Sequence, residues 1–116
     1  MISSENAVHY EWGRGCDGWH LVNTPELSVI QERMPPGTCE ELHFHNRSRQ
    51  FFFILAGIVN MEFGDKHEIL RARQGLEIPP GLPHRISNLS DREAEFIVIS
   101  HPHSHGDRVV ATPPDV

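Results

Sequence analysis

Residues 37–57 read GTCEELHFHNRSRQFFFILAG, from Gly37 to Gly57, and this stretch decides how the rest of the chain is read. Side chains along a strand alternate between its two faces. A strand over residues 37–46 therefore puts Cys39, Glu41, His43 and His45 on one face and Leu42 and Phe44 on the other. Two imidazoles at i and i+2 on one strand face are close enough to ligate a single ion. A turn through residues 46–49 would return Gln50 on a neighbouring strand, facing the same interior. With Gln50 inward, Phe52 and Ile54 follow it, and Phe51, Phe53 and Leu55 make an outer face with no polar residue among them.

Outside this stretch the pattern continues. Short segments rich in Val, Ile and Phe lie between turn signals: LSVIQERM before PPG, IVNMEF before GD, then HEILRA, LEI before a second PPG, and EAEFIVIS. Their regular short spacing, with no long amphipathic helix, is the pattern of an all-β sandwich or barrel. Gly64-Asp65 predicts a hairpin tip, and residues 88–93 (NLSDRE) a polar connection. Pro35-Pro36-Gly37 and Pro79-Pro80-Gly81 each suit a type II turn, in which Pro fixes the first central φ and Gly takes the positive second one. Histidines follow both turns, His43 and His45 after the first and His84 after the second. No linker or low-complexity segment divides the chain. It reads as one domain over 1–116, with a core at about 28–100, an N-terminal extension (1–27) and a C-terminal tail (101–116). The first eight or so residues and TPPDV (112–116) are expected to be loosely held.

Ten basic residues against sixteen acidic ones give a formal charge of −6, and Lys66 is the only lysine. No basic stripe exists to neutralise phosphates, which argues against nucleic acid as a partner. The opening MISSENAVHYEW has no basic n-region or apolar h-region, and no later run has membrane-spanning length. A cytoplasmic protein with no membrane partner is expected. Cys16 and Cys39 read as reduced thiols, Cys39 as a small buried one on the inward face. Nine histidines among 116 residues are the one compositional excess, and histidine is the commonest metal ligand. His9, His20 and His67 have no partner in sequence and read as structural. His101, His103 and His105 stand at alternate positions, but Pro102 argues against a central strand and Gly106-Asp107 for a turn. A solvated histidine-rich tail is expected there instead of a ligand strip.

Gly37, His43-x-His45, Gln50 and Gly57, followed by Pro79-x-Gly81, His84 and Asn88, resemble the two motifs of the cupin superfamily. The resemblance covers about residues 28–100. It implies a small β-barrel with a jelly-roll or double-stranded β-helix core. It further implies one divalent transition metal ion (iron, manganese, nickel, zinc, cobalt or copper) held by His43, His45, His84 and the residue at position 50. Two positions depart from the family pattern. The first-motif glutamate is Gln50, and the glycine six residues before the second-motif proline is Arg73, with Gly75 two residues later. The Arg73 departure reads as a local change of turn geometry. Gln50 has two readings, ligation through its amide oxygen or orientation of His43 or His45 from behind.

An amide in place of a carboxylate leaves the charge of a divalent ion uncompensated by its ligands. Such a centre attracts an anionic oxygen ligand, holds a reduced metal more firmly and lacks a carboxylate base among its ligands. The expected function is a metal enzyme acting on a small anionic oxygenated molecule by Lewis-acid or dioxygenase-type chemistry, with dioxygenase ahead of isomerase or lyase. The alternative is a non-catalytic cupin that binds a sugar or organic acid. Strand parity nominates Glu41 and Arg33, and also Glu77, as acid–base or pocket groups. The apolar outer face of Phe51, Phe53 and Leu55 predicts a homodimer, unless AVHYEW with Tyr10 and Trp12 covers it.

Overall fold

In the computed structural model the described residues, 1–104 and 106–111, form twelve strands and no helix. His105 and the TPPDV segment lie outside them. One antiparallel sheet runs β1 (Val8–Trp12), β2 (Cys16–Asn23), β3 (Ser28–Met34), β11 (Ala94–His101), β6 (Arg49–Ala56), β9 (Gly75–Ile78). The sheet facing it runs β12 (Arg108–Val110), β5 (His43–His45), β10 (His84–Asn88), β7 (Ile58–Phe63), β8 (Lys66–Arg71), with β4 (Thr38–Cys39) also paired to β10. The all-β expectation holds. Among the described residues no helix is long and apolar enough to cross a membrane.

The turns fall where turn chemistry puts them. Phe63 pairs with Lys66 around Gly64-Asp65. Gly37 and Gly81 adopt φ of 77° and 81°, as the second central residue of a type II turn requires. Asn88 organises the polar connection: its Nδ2 donates to Met34 O (2.9 Å) and Arg92 O (2.7 Å), and its Oδ1 accepts from Ser90 N and Oγ.

Inward residues alternate as a half-buried pleat demands. Phe96, Met34, Ile54, Met61, Ile78 and Ile86 are fully buried, and each contributes about 1.5–3 kcal/mol by leaving water. Along β6 the inward side chains run Ile54, Phe52, Gln50, and along β11 Phe96, Val98, Ser100, so both strands pass from an apolar end to a polar one. The candidate site occupies the polar end.

The outer face of β6 beyond Arg49 is apolar, as predicted. Phe51 and Leu55 are 39% and 41% exposed, and Phe51 and Phe53 pair with Ile99 and Ile97 on β11. AVHYEW does not cover them, because β1 stands at the far side of the sheet with β2, β3 and β11 between it and β6.

Three expectations are corrected. First, residues 37–46 are not one strand. Cys39 pairs with Ser87 and His43 with His84, so four steps along this segment match three on β10. The extra residue reverses the face parity upstream of His43. Cys39 and Glu41 are exposed, and Glu40 turns inward instead, bonded to β10 through Glu40 N–Ile86 O (3.1 Å) and Ile86 N–Glu40 Oε1 (3.0 Å). Second, Arg73 keeps the glycine-type backbone, with φ 70°, so the departure from the family pattern changes the residue and not the turn. Third, the tail is not solvated throughout. β12 pairs with β5, placing Arg108 opposite His45, and Asp107 is buried. Local pattern reading missed this strand because three residues are too few to show a period.

Candidate metal centre

His43 and His45 project from β5, and His84 stands opposite His43 on β10. One ligand atom from each lies within 4.8 Å of the others. The second PPG turn holds the arrangement together, since Gly81 N donates to His45 O at 2.7 Å. The turn that delivers His84 is thereby pinned to the strand that carries His45. Gln50 enters from β6 in the opposite sheet. Its Nε2 donates to Ser100 Oγ (3.0 Å), which aims Oε1 at His84 Nε2, 3.1 Å away.

The protonation of the cluster follows from burial. His43, His45 and His84 are 4%, 5% and 1% exposed. Burial disfavours the imidazolium, holding His43 down to about 3 and His45 to about 4, and lowering His84. The rings are therefore neutral near pH 7, and a neutral imidazole carries one N–H. Nδ1 of His43 faces Glu41 O (2.8 Å) and Nδ1 of His84 faces Leu82 O (3.0 Å), which puts the proton on Nδ1 and a lone pair on Nε2. At His84 that lone pair faces the side-chain amide of Gln50, 3.1 Å away. Nδ1 of His45 is buried without a hydrogen-bond partner. A cation among these rings would take up the ligand atoms that converge there. Three neutral imidazole nitrogens and an amide oxygen suit a first-row divalent ion.

The centre opens on a cavity of about 270 Å³. Beyond His43, His45 and Gln50, its polar lining comes from Tyr10, Glu32, Glu40, Ser100, Ser104 and Arg108. Burial raises Glu32 to about 7, against a hydrogen bond from Tyr10 and the charge of Arg108. Burial raises Glu40 to about 8, and the nearby Glu32 charge adds to this. Arg108 Nη1 is 3.8 Å from Glu41, and its Nη2 is 3.4 Å from His43 Nδ1.

The structure thus brings His43, His45, His84 and Gln50 together and places the parity candidates elsewhere. The Glu41 side chain is 68% exposed. Arg33 lies on the outer face of β3, paired with Asp17 (2.6 Å) and Glu93. Glu77 pairs with Arg49 at 3.1 Å on the surface. His101 Nδ1 meets Glu26 O (2.8 Å) and His103 Nε2 meets Asn23 Oδ1 (2.7 Å), so these two fasten the tail to the loop after β2. Sequence reasoning missed Tyr10, Glu32, Glu40 and Arg108. Only Glu32 left a readable signal, as an acidic residue sharing the inward register of Ser28, Ile30 and Met34.

Residues 30–100, most of the chain, match the family described as Cupin domain. The chain belongs to the cupin family. Among curated relatives, this cupin is 34% identical over 64 residues to "Polyketide synthase CurC" of Streptomyces cyaneus, a match covering 55% of this chain and 42% of CurC. The chain spans less than half the length of that relative. Of solved structures, the polyketide cyclase RemF from Streptomyces resistomycificus superposes with a TM-score of 0.82 at 15% identity, covering 99% of this chain and 87% of RemF. KdgF from Halomonas sp. superposes with a TM-score of 0.81 at 16% identity, covering 89% and 94%. These structural likenesses are of fold.

Proposed function

We propose that this cupin is a metal-dependent enzyme acting on a small anionic oxygenated molecule. The observation that carries the reading is a set of three buried, neutral, convergent imidazoles opening on a cavity that also holds Arg108. A bound divalent ion would supply Lewis-acid polarisation of a substrate oxygen. Gln50 contributes no charge to offset that ion, and Arg108 adds a cation at the cavity wall. Both favour a ligand that arrives as carboxylate, phenolate or enolate. The uncompensated charge also opposes oxidation of the metal, which favours Lewis-acid chemistry over dioxygenase-type chemistry. A cavity of about 270 Å³ is below the roughly 300–1,000 Å³ usual for drug-sized ligands, which supports a small acid. Likeness to CurC supports a second reading, in which the substrate is a longer polyketide chain and only its reacting end enters the cavity.

The outer face of Phe51, Phe53, Leu55, Ile97 and Ile99 supports a homodimer through the first sheet. Sheet faces open to water normally carry polar residues at such positions, and this patch does not.

Metal analysis of untagged protein, with and without His45→Ala, tests the central reading. The wild type is expected to hold about one divalent ion per chain and the variant to lose most of it. Oxalate, as a small dianion, is expected to bind only the metal-loaded wild type. Full metal retention in His45→Ala would sink the proposal.

A further inference from the structure

Tyr10, Gly18 and Glu32 lie in one row across three strands: Tyr10 pairs with Gly18 on β2, and Gly18 with Glu32 on β3. A Cβ on Gly18 would fall 2.2 Å from Cζ of Tyr10. Only glycine lets the Tyr10 ring lie across β2 and bring its hydroxyl to 3.2 Å from Oε1 of Glu32. Glycine inside a strand and a carboxyl at an inward position both cost stability. The next inward position of β3, Met34, shows the apolar alternative. Glu40 reaches the same cavity because of the extra residue between β4 and β5. Two independent distortions, a strand glycine and a bulge, thus deliver two carboxyls to the wall of one cavity, beside the histidine centre.

We propose that Glu32 and Glu40 form a carboxyl pair that moves protons on an enolisable oxo acid bound in this cavity, with Tyr10 positioning Glu32 and Arg108 binding the acid's carboxylate. The proposal rests on the metal-enzyme reading above and adds the proton path and the substrate class. Around Glu32 the cavity is lined by Tyr10 and Trp12 of β1, Glu40 of the β4–β5 connection, His43 and His45 of β5, Gln50 of β6, Val98 and Ser100 of β11 and Arg108 of β12. His20 of β2 packs on the Tyr10 ring, with 5.1 Å between ring centroids. Burial holds the Tyr10 hydroxyl in its protonated form, so it donates to Glu32 and favours the ionised carboxylate. Glu40, beside that charge, is the member of the pair that keeps its proton.

In the proposed step the C–H bond next to the substrate carbonyl breaks. Its electron pair forms the enolate double bond, the carbonyl π pair moves onto oxygen, and the proton passes to the Glu32 carboxylate. Glu40 then gives its proton to the same carbon, the enolate double-bond pair forming the new C–H bond while the pair on oxygen re-forms the carbonyl. Nothing is oxidised or reduced, and proton exchange between the two carboxyls restores the pair.

The test uses the full chain, metal-loaded, with carbon-13 in its glutamate carboxyls, and takes oxalate, 2-oxobutyrate and pyruvate as probes. Two carboxyl resonances are expected to titrate well above the ordinary glutamate range, one vanishing in Glu32→Gln and the other in Glu40→Gln, and oxalate should shift both. In heavy water, deuterium should enter C3 of 2-oxobutyrate, at least about 100-fold more slowly in Glu32→Gln, while oxalate affinity changes by less than about threefold. Tyr10→Phe should move the rising limb of the exchange's pH profile upward, because the hydrogen bond that favours ionised Glu32 is gone. Carboxyls that titrate in the ordinary range would overturn the proposal. So would exchange in Glu32→Gln at the wild-type rate, or a wild type that exchanges neither 2-oxobutyrate nor pyruvate. A wild type that holds no metal and no oxalate instead overturns the reading of the centre itself, before any exchange is measured.

Discussion

Asp107 links the tail to the candidate metal centre, and removing its carboxylate should damage both stability and metal affinity. The side chain is 7% exposed and accepts from three successive backbone N–H groups, Asn46 (3.2 Å), Arg47 (3.0 Å) and Ser48 (2.8 Å). These residues form the turn between His45 and Gln50, so the carboxylate sets how the two sheets present their ligands. In Asp107→Ala, water can reach the N–H groups of the exposed Asn46 and Arg47 but not that of Ser48, which is 1% exposed. One fully orphaned donor at about 1–3 kcal/mol and two partly rehydrated ones give a loss of about 2–4 kcal/mol. The disturbed turn should also weaken metal binding by about 10–100-fold, the range for partners that orient ligands. Urea denaturation measures the first and competition with a chelator the second.

The pH dependence of that loss has a definite sign. Burial by itself would raise the Asp107 pKa, but the three N–H groups and nearby His45 hold it below the ordinary value of 3.8. A depressed carboxylate contributes stability that is present above its unfolded pKa and is lost as pH falls through the folded one. The gap between wild type and Asp107→Ala should thus be constant from about pH 5 to about pH 8 and close only below about pH 4. A variant within about 0.5 kcal/mol of wild type that binds metal equally well would refute the reasoning.

Three further outcomes follow from other parts of the molecule. Gln50→Glu should keep the metal ion but weaken oxalate binding several-fold, because a carboxylate ligand offsets the ion's charge; equal affinity would mean that this charge does not control the cavity. Sedimentation equilibrium at micromolar concentration should report twice the 13.2 kDa chain mass, with Phe51→Asp shifting it toward monomer; a wild type monomeric at hundreds of micromolar rules out the sheet-face dimer. Arg73→Gly should raise stability by up to about 1 kcal/mol by relieving the positive φ of Arg73, and a lowered melting temperature would show that the arginine side chain repays that strain.

Much of the fold was legible because its signals are local. The PPG turns, the Gly64-Asp65 tip and the alternation of Gln50, Phe52 and Ile54 each depend on neighbours a few residues away, and the structure bears them out. The hairpin of β1 and β2 and the short β12 were not anticipated. Their pairing is set by the sheet they join. RVV is too short to show a period, whereas VHYEW does alternate apolar and polar residues, a strand signal that went unread because no turn chemistry sets it off from the N-terminal extension.

The candidate site divides along the same line. The strand over residues 37–46 was drawn wrongly, yet His43 and His45 still share a face, because the extra residue lies upstream of both and cannot alter the relation of i to i+2 within HFH. The same bulge exchanged Glu41 for Glu40, since those positions lie within it. Parity along a strand therefore survives only between bulges, and an acidic residue three positions from a ligand is read less safely than a ligand two positions away. Tyr10 and Arg108 sit beyond any such reasoning. Tyr10 reaches the cavity only through the register of Tyr10, Gly18 and Glu32 across three strands, and Arg108 only through the pairing of β12 with His45. Position along the chain identifies the candidate metal ligands, because each motif is a local turn and strand. The groups that would choose and work on a substrate come from elements that meet the centre only when both sheets have closed.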